Sequence, residues 1–275
     1  MKLTAILVSS LLTIILPACT KQQPANTENT SKPQLSDSIP TTPSSLSPSL
    51  TPLPSEIKFV SKSVNEQVPD FYRIEVEYPQ IKGLASKHAR TFNRWVEKFV
   101  LSDVSKFRAL EKAAMKIDKR KSWPIEEALT ISYDVILANK NLISIKFIHT
   151  VMALGQTHPI DYPVPVNYDL RNGKFLKLGD LFKPKANYLK IFSKFCSNEL
   201  RSKYKEQLWP GDGIEPKADN YQNWNLTTEG IMISFDDYQV GPHSMGQPVV
   251  IIPYSILKDL IAHSSAVKTL LKNIS

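Results

Sequence analysis

The chain has 275 residues, of which 42% are hydrophobic, and a formal net charge of +8 at pH 7. This length and apolar content allow one large folded domain or two small ones. The chain contains only two cysteines, Cys19 and Cys196, so we expect the fold to hold together without a disulfide.

The first residues follow a pattern that is typical of an export signal. Lys2 precedes an apolar run over residues 3–16, which is shorter than the ~20 residues that a membrane-spanning helix needs. Residues 16–19 read Leu-Pro-Ala-Cys and match the end of a bacterial lipoprotein signal except at the proline. We therefore expect residues 1–18 to be a signal peptide and Cys19 to carry lipid chains such as palmitate. The alternatives are a plain secreted protein and an uncleaved N-terminal anchor.

The next segment, residues 20–55, is rich in Ser, Thr and Pro and contains no aromatic residue and no Gly. Such a composition buries too little apolar surface to offset the entropy cost of ordering the chain. We expect residues 19–55 to be the lipidated cysteine and a disordered tether, and residues 56–275 to be the folded part, with an alternative sub-boundary near residue 122. For an exported protein, the basic balance of charge indicates anionic envelope polymers or lipid headgroups as partners rather than nucleic acid.

Hydrophobic periodicity predicts the elements of the folded part. In chain order they are strands over 56–64 and 71–79, a long helix over 85–120, strands over 127–138, 142–154, 164–170 and 174–178, a helix over 186–205, a surface loop over 209–224, strands over 225–235 and 248–253, and short helices over 254–263 and 266–273. This order predicts an α+β fold, in which a mixed or antiparallel sheet is packed by one long helix and by shorter C-terminal helices.

Three aromatic residues in the predicted surface loop are candidates for ligand binding. Trp209, Tyr221 and Trp224 surround the sequence Gly-Asp-Gly. Aromatic faces on a polar loop suit sugars or a protein partner. The alternative is that these side chains fold back and cover the core.

A basic cluster is the second candidate for ligand binding. Lys119, Arg120 and Lys121 follow one another at the predicted end of the long helix. They could contact an anionic partner. The alternative is a solvated cluster that complements the helix dipole, which favours cations at a helix C-terminus.

Few residues could carry out chemistry. The polar group formed by His158, Asp161, Asp236 and His243, with Asp237 as the alternative to Asp236, would make a metal or hydrolase site only if the loops that carry these residues meet. The sequence contains no metalloprotease, serine hydrolase or phosphate-loop motif. We therefore predict no catalytic residue, no metal and no cofactor. Cys196 lies in a helical pattern without a neighbouring histidine and is best explained as a small buried residue.

Several sequence blocks together resemble a known family. They are GQTHP at 155–159, NYDLRNGK at 167–174, LGDLFKP at 178–184, GIMISFDDYQVGPHSMG at 230–246 and VVIIPYSIL at 249–257. The series is similar to the extracytoplasmic domain of unknown function in RsiV-type anti-sigma factors, which also accompanies some peptidoglycan deacetylases as a non-catalytic part. The resemblance covers about residues 57–262, and the first block departs from the Gly-Gly-Ala-His-Pro-like sequence that is usual in the family.

The resemblance implies a non-catalytic binding or sensing module on a lipoprotein of the cell envelope. RsiV-type proteins sense lysozyme, so the implied partners are a lysozyme-like envelope protein or peptidoglycan, besides the membrane itself. The expected location is the periplasmic or cell-surface face of a membrane. The alternatives are an envelope hydrolase or metal-dependent enzyme that uses the polar group defined above, and a purely structural lipoprotein.

Overall fold

The structure is a computed structural model, and it describes residues 57–117, 127–153, 156 and 158–271. The strands are β1 (Lys58–Val68), β2 (Tyr72–Lys82), β3 (Glu127–Ala138), β4 (Leu142–Met152), β5 (Ile160–Asp169), β6 (Lys174–Phe175), β7 (Trp224–Leu226), β8 (Gly230–Ser234) and β9 (Val249–Pro253). The α-helices are α1 (Lys87–Ile117), α2 (Tyr188–Tyr204), α3 (Tyr254–Leu257) and α4 (Lys268–Leu271). The strands form a six-stranded sheet, β1-β2-β3-β4-β5-β6, and a three-stranded sheet, β7-β8-β9. The predicted α+β fold is confirmed.

The six-stranded sheet is mixed, and α1 covers one of its faces. All neighbouring strands are antiparallel except β2 and β3, which run parallel and are joined through α1. Parallel neighbours need a crossover connection, and the long helix supplies it. Phe92, Val96 and Val100 of α1 are fully buried in one core with Tyr72 and Ile74 of β2. The predicted long helix is therefore present and packs on the sheet.

Side-chain hydrogen bonds fix the first part of α1. The Ser86 hydroxyl accepts hydrogen bonds from the backbone N–H groups of His88 and Ala89, at 3.2 and 3.5 Å, which is how a serine caps a helix N-terminus. Within α1, the Asn93 amide donates to the Ile81 carbonyl at 3.0 Å and accepts from the Ile81 N–H at 2.8 Å. This pair of bonds joins the helix to the backbone of β2.

An ion pair joins α1 to β1. Arg108 donates to one Glu66 oxygen from Nε at 2.8 Å and from Nη2 at 2.6 Å, and the Tyr72 hydroxyl donates to the other oxygen at 2.6 Å. The Arg108 guanidinium, followed by the Tyr72 hydroxyl, lowers the pKa of the Glu66 carboxyl. Burial, followed by the bond to Glu66, raises the pKa of Tyr72 to about 12. The three groups therefore connect helix and sheet through charge-assisted hydrogen bonds.

The three-stranded sheet has a core of its own. Phe192 and Cys196 of α2 pack in this core with Phe235, Ile252 and Tyr254, and none of these five side chains is exposed. Burial raises the pKa of the Cys196 thiol to about 12. The interpretation of Cys196 as a buried core residue is confirmed.

A buried polar seam joins the two sheets, and it is formed by the side chains of Ser144, Asn167 and Asn225. The Ser144 hydroxyl donates to Asn167 Oδ1 at 2.7 Å and accepts from Asn225 Nδ2 at 2.9 Å. The Asn167 amide donates to the Trp224 carbonyl at 2.8 Å, and the Leu226 N–H donates to both Ser144 Oγ and Asn167 Oδ1. Because these groups are buried and bonded to one another, β7 is fixed against β4 and β5.

The prediction of one strand over residues 225–235 is wrong. Two strands, β7 and β8, occupy it, and a tight turn joins them. The Thr227 hydroxyl closes that turn by accepting hydrogen bonds from the N–H groups of Glu229 at 3.1 Å and Gly230 at 2.9 Å. A Cβ at Gly230 would lie 2.1 Å from the Ile252 carbonyl oxygen, so β9 can approach only a glycine there.

Other boundaries also differ from the predictions. β5 begins at Ile160 rather than at residue 164, and it contains Pro163 and Pro165. It pairs with β6 only through Tyr168 and Asp169, so its first part is an edge of the sheet, where the missing proline N–H is tolerated. The first predicted C-terminal helix is a single turn, α3, and within the described residues the second is the single turn α4, which reaches the last of them.

None of the helices in the described part of the chain is both long enough and apolar enough to span a membrane.

Candidate functional site

Two exposed aromatic side chains lie side by side on loops next to the three-stranded sheet. Tyr238 follows β8 and is 47% exposed, and Trp209 follows α2 and is 46% exposed. Their ring centroids are 6.5 Å apart and their planes are inclined by 30°. At this spacing the rings contact each other without covering each other's outer surface. We call Trp209 and Tyr238 the aromatic pair.

Tyr238 has an unusual backbone conformation for an aromatic residue. Its φ angle is +62°, in the left-handed region. A side chain with a Cβ adopts that region at a cost of about 1–2 kcal/mol. Strained positions of this kind cluster at functional sites, where the surrounding structure holds them in place. The exposed ring of Tyr238 is therefore held in position at an energetic cost.

Two histidines continue the row of rings beyond Tyr238. The His243 ring centroid lies 5.8 Å from that of Tyr238, with the planes 23° apart. His158 stacks on His243 at 4.1 Å and 14°, and the Tyr238 hydroxyl lies 3.4 Å from His158 Nε2. Four nearly parallel rings thus form one surface cluster, which joins the start of β5 to the loop after β8.

One nitrogen of each histidine ring is bonded within the protein. His158 Nδ1 lies 3.0 Å from the Pro159 carbonyl oxygen, which can only accept, so Nδ1 carries the proton in that bond. His243 Nδ1 lies 3.1 Å from Asp237 Oδ2, and the Asp237 side chain is only 6% exposed. A carboxylate in this position orients the imidazole and leaves Nε2, on the other side of the ring, for a ligand.

The Gln239 side chain connects the loop after α2 to the loop after β8. Its carbonyl oxygen accepts from the Asp236 N–H at 2.9 Å. Its amide nitrogen donates to the Gly213 carbonyl at 2.9 Å and to the Asn220 carbonyl at 3.1 Å. A Cβ at Gly213 would lie 2.0 Å from the backbone carbonyl oxygen of Gln239, so the close approach of the two loops requires a glycine. The Trp209 N–H adds a backbone bond to the Val240 carbonyl at 2.9 Å.

The four residues of the predicted polar group do not form one site. His158 and His243 are stacked on each other, as described above. Asp161 accepts from the Thr150 hydroxyl at 2.6 Å, whereas Asp236 accepts from Asn223 Nδ2 at 2.8 Å. Burial raises the pKa of the Asp236 carboxyl. Across the described residues, no three His, Cys, Asp or Glu side chains are grouped so that they could hold a metal ion.

The expectation that residues 209–224 are an exposed loop is wrong for two of its three aromatic residues. Tyr221 is not exposed and Trp224 is only 5% exposed. The Tyr221 hydroxyl donates to the Ile214 carbonyl, and its ring packs edge-on against Phe192 at 5.6 Å. These two residues belong to the core and cannot offer their faces to a ligand. Trp209 is exposed, as expected.

The remaining predicted site residues lie outside the described residues. They are Cys19 and the basic cluster of Lys119, Arg120 and Lys121. Their roles remain predictions.

One residue of the site, Tyr238, was missed from the sequence. Asp236 and Asp237 were both candidates for the predicted polar group, and it is Asp237 that contacts His243. The available signal was an aromatic residue inside a polar loop, Asp-Asp-Tyr-Gln, which is the same criterion that selected Trp209.

Comparison with known proteins places the aromatic pair inside a recognised region. Residues 179–255 match the model of a family described as a protein of unknown function, DUF3298. The matched region contains α2, the three-stranded sheet and both loops of the site. A crystal structure of a DUF3298 family member from Bacteroides fragilis superimposes with a TM-score of 0.62 at 20% sequence identity, and covers 80% of this chain and 98% of that one. This likeness concerns the fold.

Two curated proteins of Bacillus subtilis are similar in sequence over most of the chain. The peptidoglycan-N-acetylmuramic acid deacetylase PdaC is 26% identical over 205 residues, which are 74% of this chain and 42% of PdaC. The anti-sigma-V factor RsiV is 25% identical over 197 residues, which are 68% of this chain and 65% of RsiV. The chain thus spans less than two thirds of either relative. The resemblance to the RsiV-type domain of unknown function is confirmed.

Proposed function

We propose that this chain is an exported lipoprotein whose DUF3298-like region is a non-catalytic binding or sensing module of the cell envelope. Its partner is an envelope protein, lysozyme-like in chemistry, or peptidoglycan. The observation that carries the proposal is the aromatic pair, because Trp209 and Tyr238 are both nearly half exposed on loops that Gln239 holds together. Exposed aromatic residues on rigid supports are typical anchors of binding surfaces.

The relatives support a role in the envelope. PdaC is named for its action on peptidoglycan and RsiV for its action on a sigma factor. These two names describe different activities, yet both proteins share sequence with this chain. A shared binding module attached to different effector parts explains such a distribution more simply than a shared catalytic site does.

A direct binding test uses the full chain and two defined probes. Purified peptidoglycan sacculi are sedimented with the protein, and lysozyme is passed over immobilised protein. The proposal predicts retention in one of the two arms and its loss in Tyr238→Ala. The matched control is Leu110→Ala, which removes an exposed apolar side chain of α1 far from the site in sequence. Absence of retention in both arms contradicts the proposal.

Membrane attachment is tested separately. Cys19→Ser removes the sulfur that would carry the lipid, and two or more acyl chains are needed for stable anchoring. We expect the variant to appear in the soluble fraction or to accumulate as precursor, whereas Cys196→Ser remains with the membrane. Membrane association of Cys19→Ser after a carbonate wash would show that the anchor lies elsewhere.

A second candidate function is an envelope hydrolase in which His243 acts as the base. One observation favours it, namely the bond between Asp237 and His243, which resembles a general base held by its orienting carboxylate. Incubation of sacculi with the protein decides between the two functions. Release of soluble fragments that His243→Ala abolishes would establish the enzyme, and a binding module releases none.

A further inference from the structure

The segment that carries the site has the opposite charge to the rest of the chain. Residues 206–247 contain seven Asp and Glu residues and a single Lys, whereas the whole chain carries +8. Several of the carboxylates are open to solvent: the Asp212 side chain is 84% exposed, and Glu206 and Asp219 are also exposed. The one Lys, Lys217, lies 2.8 Å from Glu215 and 4.0 Å from Asp212, so the segment keeps an excess of acidic over basic side chains.

The Gln239 contacts hold part of this acidic segment against the loop that carries Tyr238. Gln239 is the residue after Tyr238, and its amide donates to the carbonyls of Gly213 and Asn220. Gly213 directly follows Asp212, and Asn220 directly follows Asp219. Asp212 and Asp219 therefore lie on a loop whose backbone is bonded to the loop that presents the Tyr238 ring.

Aromatic faces and carboxylates together favour a ligand that carries positively charged groups. The face of a Trp or Tyr ring attracts an ammonium or guanidinium group, and nearby carboxylates pair with the same cation. An anionic polymer would instead be repelled by the acidic segment. A neutral sugar would gain nothing from the carboxylates beyond hydrogen bonds.

We propose that the aromatic pair and the neighbouring acidic residues Asp212 and Asp219 form a docking surface for a cationic protein segment, one that presents Lys or Arg side chains. This inference rests on the proposed binding function and specifies the class of its partner. The aromatic pair anchors the side chain of the partner, and the acidic segment attracts the partner over a longer range. Complementary charge of this kind raises association rates and makes them dependent on salt.

The test measures binding of a labelled oligolysine peptide to the full chain by fluorescence anisotropy. Oligoglutamate and a soluble disaccharide-peptide fragment of peptidoglycan are the other two probes. We expect oligolysine to bind more tightly than either, and its affinity to fall as the ionic strength rises from about 0.05 M to about 0.5 M, because salt screens exposed charges.

The variants separate the docking surface from general attraction to acidic groups. Trp209→Ala and Tyr238→Ala should each weaken oligolysine binding by roughly tenfold, which corresponds to a well-packed cation–π contact. The double variant Asp212→Asn/Asp219→Asn should weaken binding and flatten its dependence on salt. Asp134→Asn removes an exposed acid from β3, distant in sequence from the segment, and should leave the affinity unchanged.

Each contrary result has a distinct meaning. Equal affinity of oligolysine for the wild type and for both aromatic variants would overturn the inference, as would a preference for the peptidoglycan fragment. If the fragment binds and Tyr238→Ala abolishes that binding, the proposed function stands and the cationic partner is wrong. If no probe binds here and neither sacculi nor lysozyme is retained, both proposals fail.

Discussion

The two sheets of this protein obtain their order in different ways. The six-stranded sheet is built from long strands and a 31-residue helix, and ion pairs such as that of Arg108 with Glu66 connect them. The three-stranded sheet has strands of three to five residues, and side-chain amides such as that of Gln239 hold its loops. Regular strand pairing therefore orders the six-stranded sheet, whereas specific side-chain hydrogen bonds order the exposed loops next to the three-stranded sheet.

This difference indicates that the residues that position the exposed loops are not the ones that contribute most to the stability of the fold. The aromatic pair belongs to loops whose backbone is fixed by Gln239, while the free energy of folding comes mainly from the two cores. The buried polar seam of Ser144, Asn167 and Asn225 is the part that both regions share. Substitutions should therefore lower the free energy of unfolding most at the seam, less in the six-stranded sheet and least in the loops.

The largest expected effect comes from breaking the seam. Asn167→Leu removes the acceptor of the Ser144 O–H and the side-chain donor to the Trp224 carbonyl, and it leaves the buried Leu226 N–H with Ser144 Oγ alone. Unsatisfied buried groups cost about 1–3 kcal/mol each, so we expect a loss of about 3 kcal/mol or more in the free energy of unfolding. Urea denaturation measures it. Asn65→Leu, at an exposed position of β1, is the matched control and should change stability by less than about 0.5 kcal/mol.

A smaller effect is expected at the ion pair of the first region. Arg108→Ala leaves the Glu66 carboxylate with the Tyr72 hydroxyl as a hydrogen-bond partner and with Lys112 as a nearby positive charge. Both charged side chains are about 30% exposed, so solvent screening limits the loss to about 1 kcal/mol. The same denaturation experiment checks it. A loss as large as that of Asn167→Leu would mean that the first region depends on its charges as strongly as the seam does on its amides.

The pH dependence of stability should contain a contribution from His149 in the first region. This side chain is buried against Phe99, and its Nε2 has no hydrogen-bond partner. Burial lowers its pKa from the ordinary value of 6.5, although Asp103, 3.8 Å away, partly opposes that shift. In acid the unfolded state therefore binds more protons than the folded state, so this contribution to stability is present above pH 6.5 and is lost as the pH falls through the lowered pKa. His149→Phe should show a shallower loss of stability between about pH 7 and pH 5 than the wild type. Equal slopes would exclude the contribution.

The smallest expected effect on stability occurs at Tyr238, where the effect on binding should be largest. Tyr238→Gly relieves the left-handed strain, and we expect stability to stay the same or to rise by up to about 1 kcal/mol, while oligolysine binding weakens by roughly tenfold as in Tyr238→Ala. Tyr238→Ala keeps a Cβ and therefore the strain, so it should be the less stable of the two variants. If Ala and Gly were equally stable, the positive φ angle would cost nothing.

Periodicity was sufficient to predict the elements that bury one regular face. The long helix is an example, because Phe92, Val96 and Val100 recur at a spacing of four residues and all face the sheet. Hydrophobic periodicity failed over residues 225–235, because β7 and β8 are both fully buried and show no alternation that would mark the turn between them. The local signal was the sequence Thr-Thr-Glu-Gly at residues 227–230, whose polar residues and glycine are typical of a turn.

The candidate site could be predicted only in part, for a related reason. The three aromatic residues of 209–224 have similar polar neighbours, yet Trp209 is exposed while Tyr221 and Trp224 are buried. Burial there depends on packing against Phe192 and on contacts with β4 and β5, which are distant in sequence. The positive φ angle of Tyr238 likewise depends on the surrounding structure and leaves no mark in composition.

The parallel pairing of β2 with β3 has a consequence for the order in which the chain assembles. Tyr72 pairs with Glu127, and α1 lies between them, whereas β3, β4 and β5 are successive neighbours with short connections. Closing a long loop costs more entropy than closing a short one, and non-local pairing slows folding. We expect the meander of β3, β4 and β5 to form early, and the β2–β3 ladder, with the hairpin of β1 and β2 that it carries, to complete the sheet as the late and rate-limiting step.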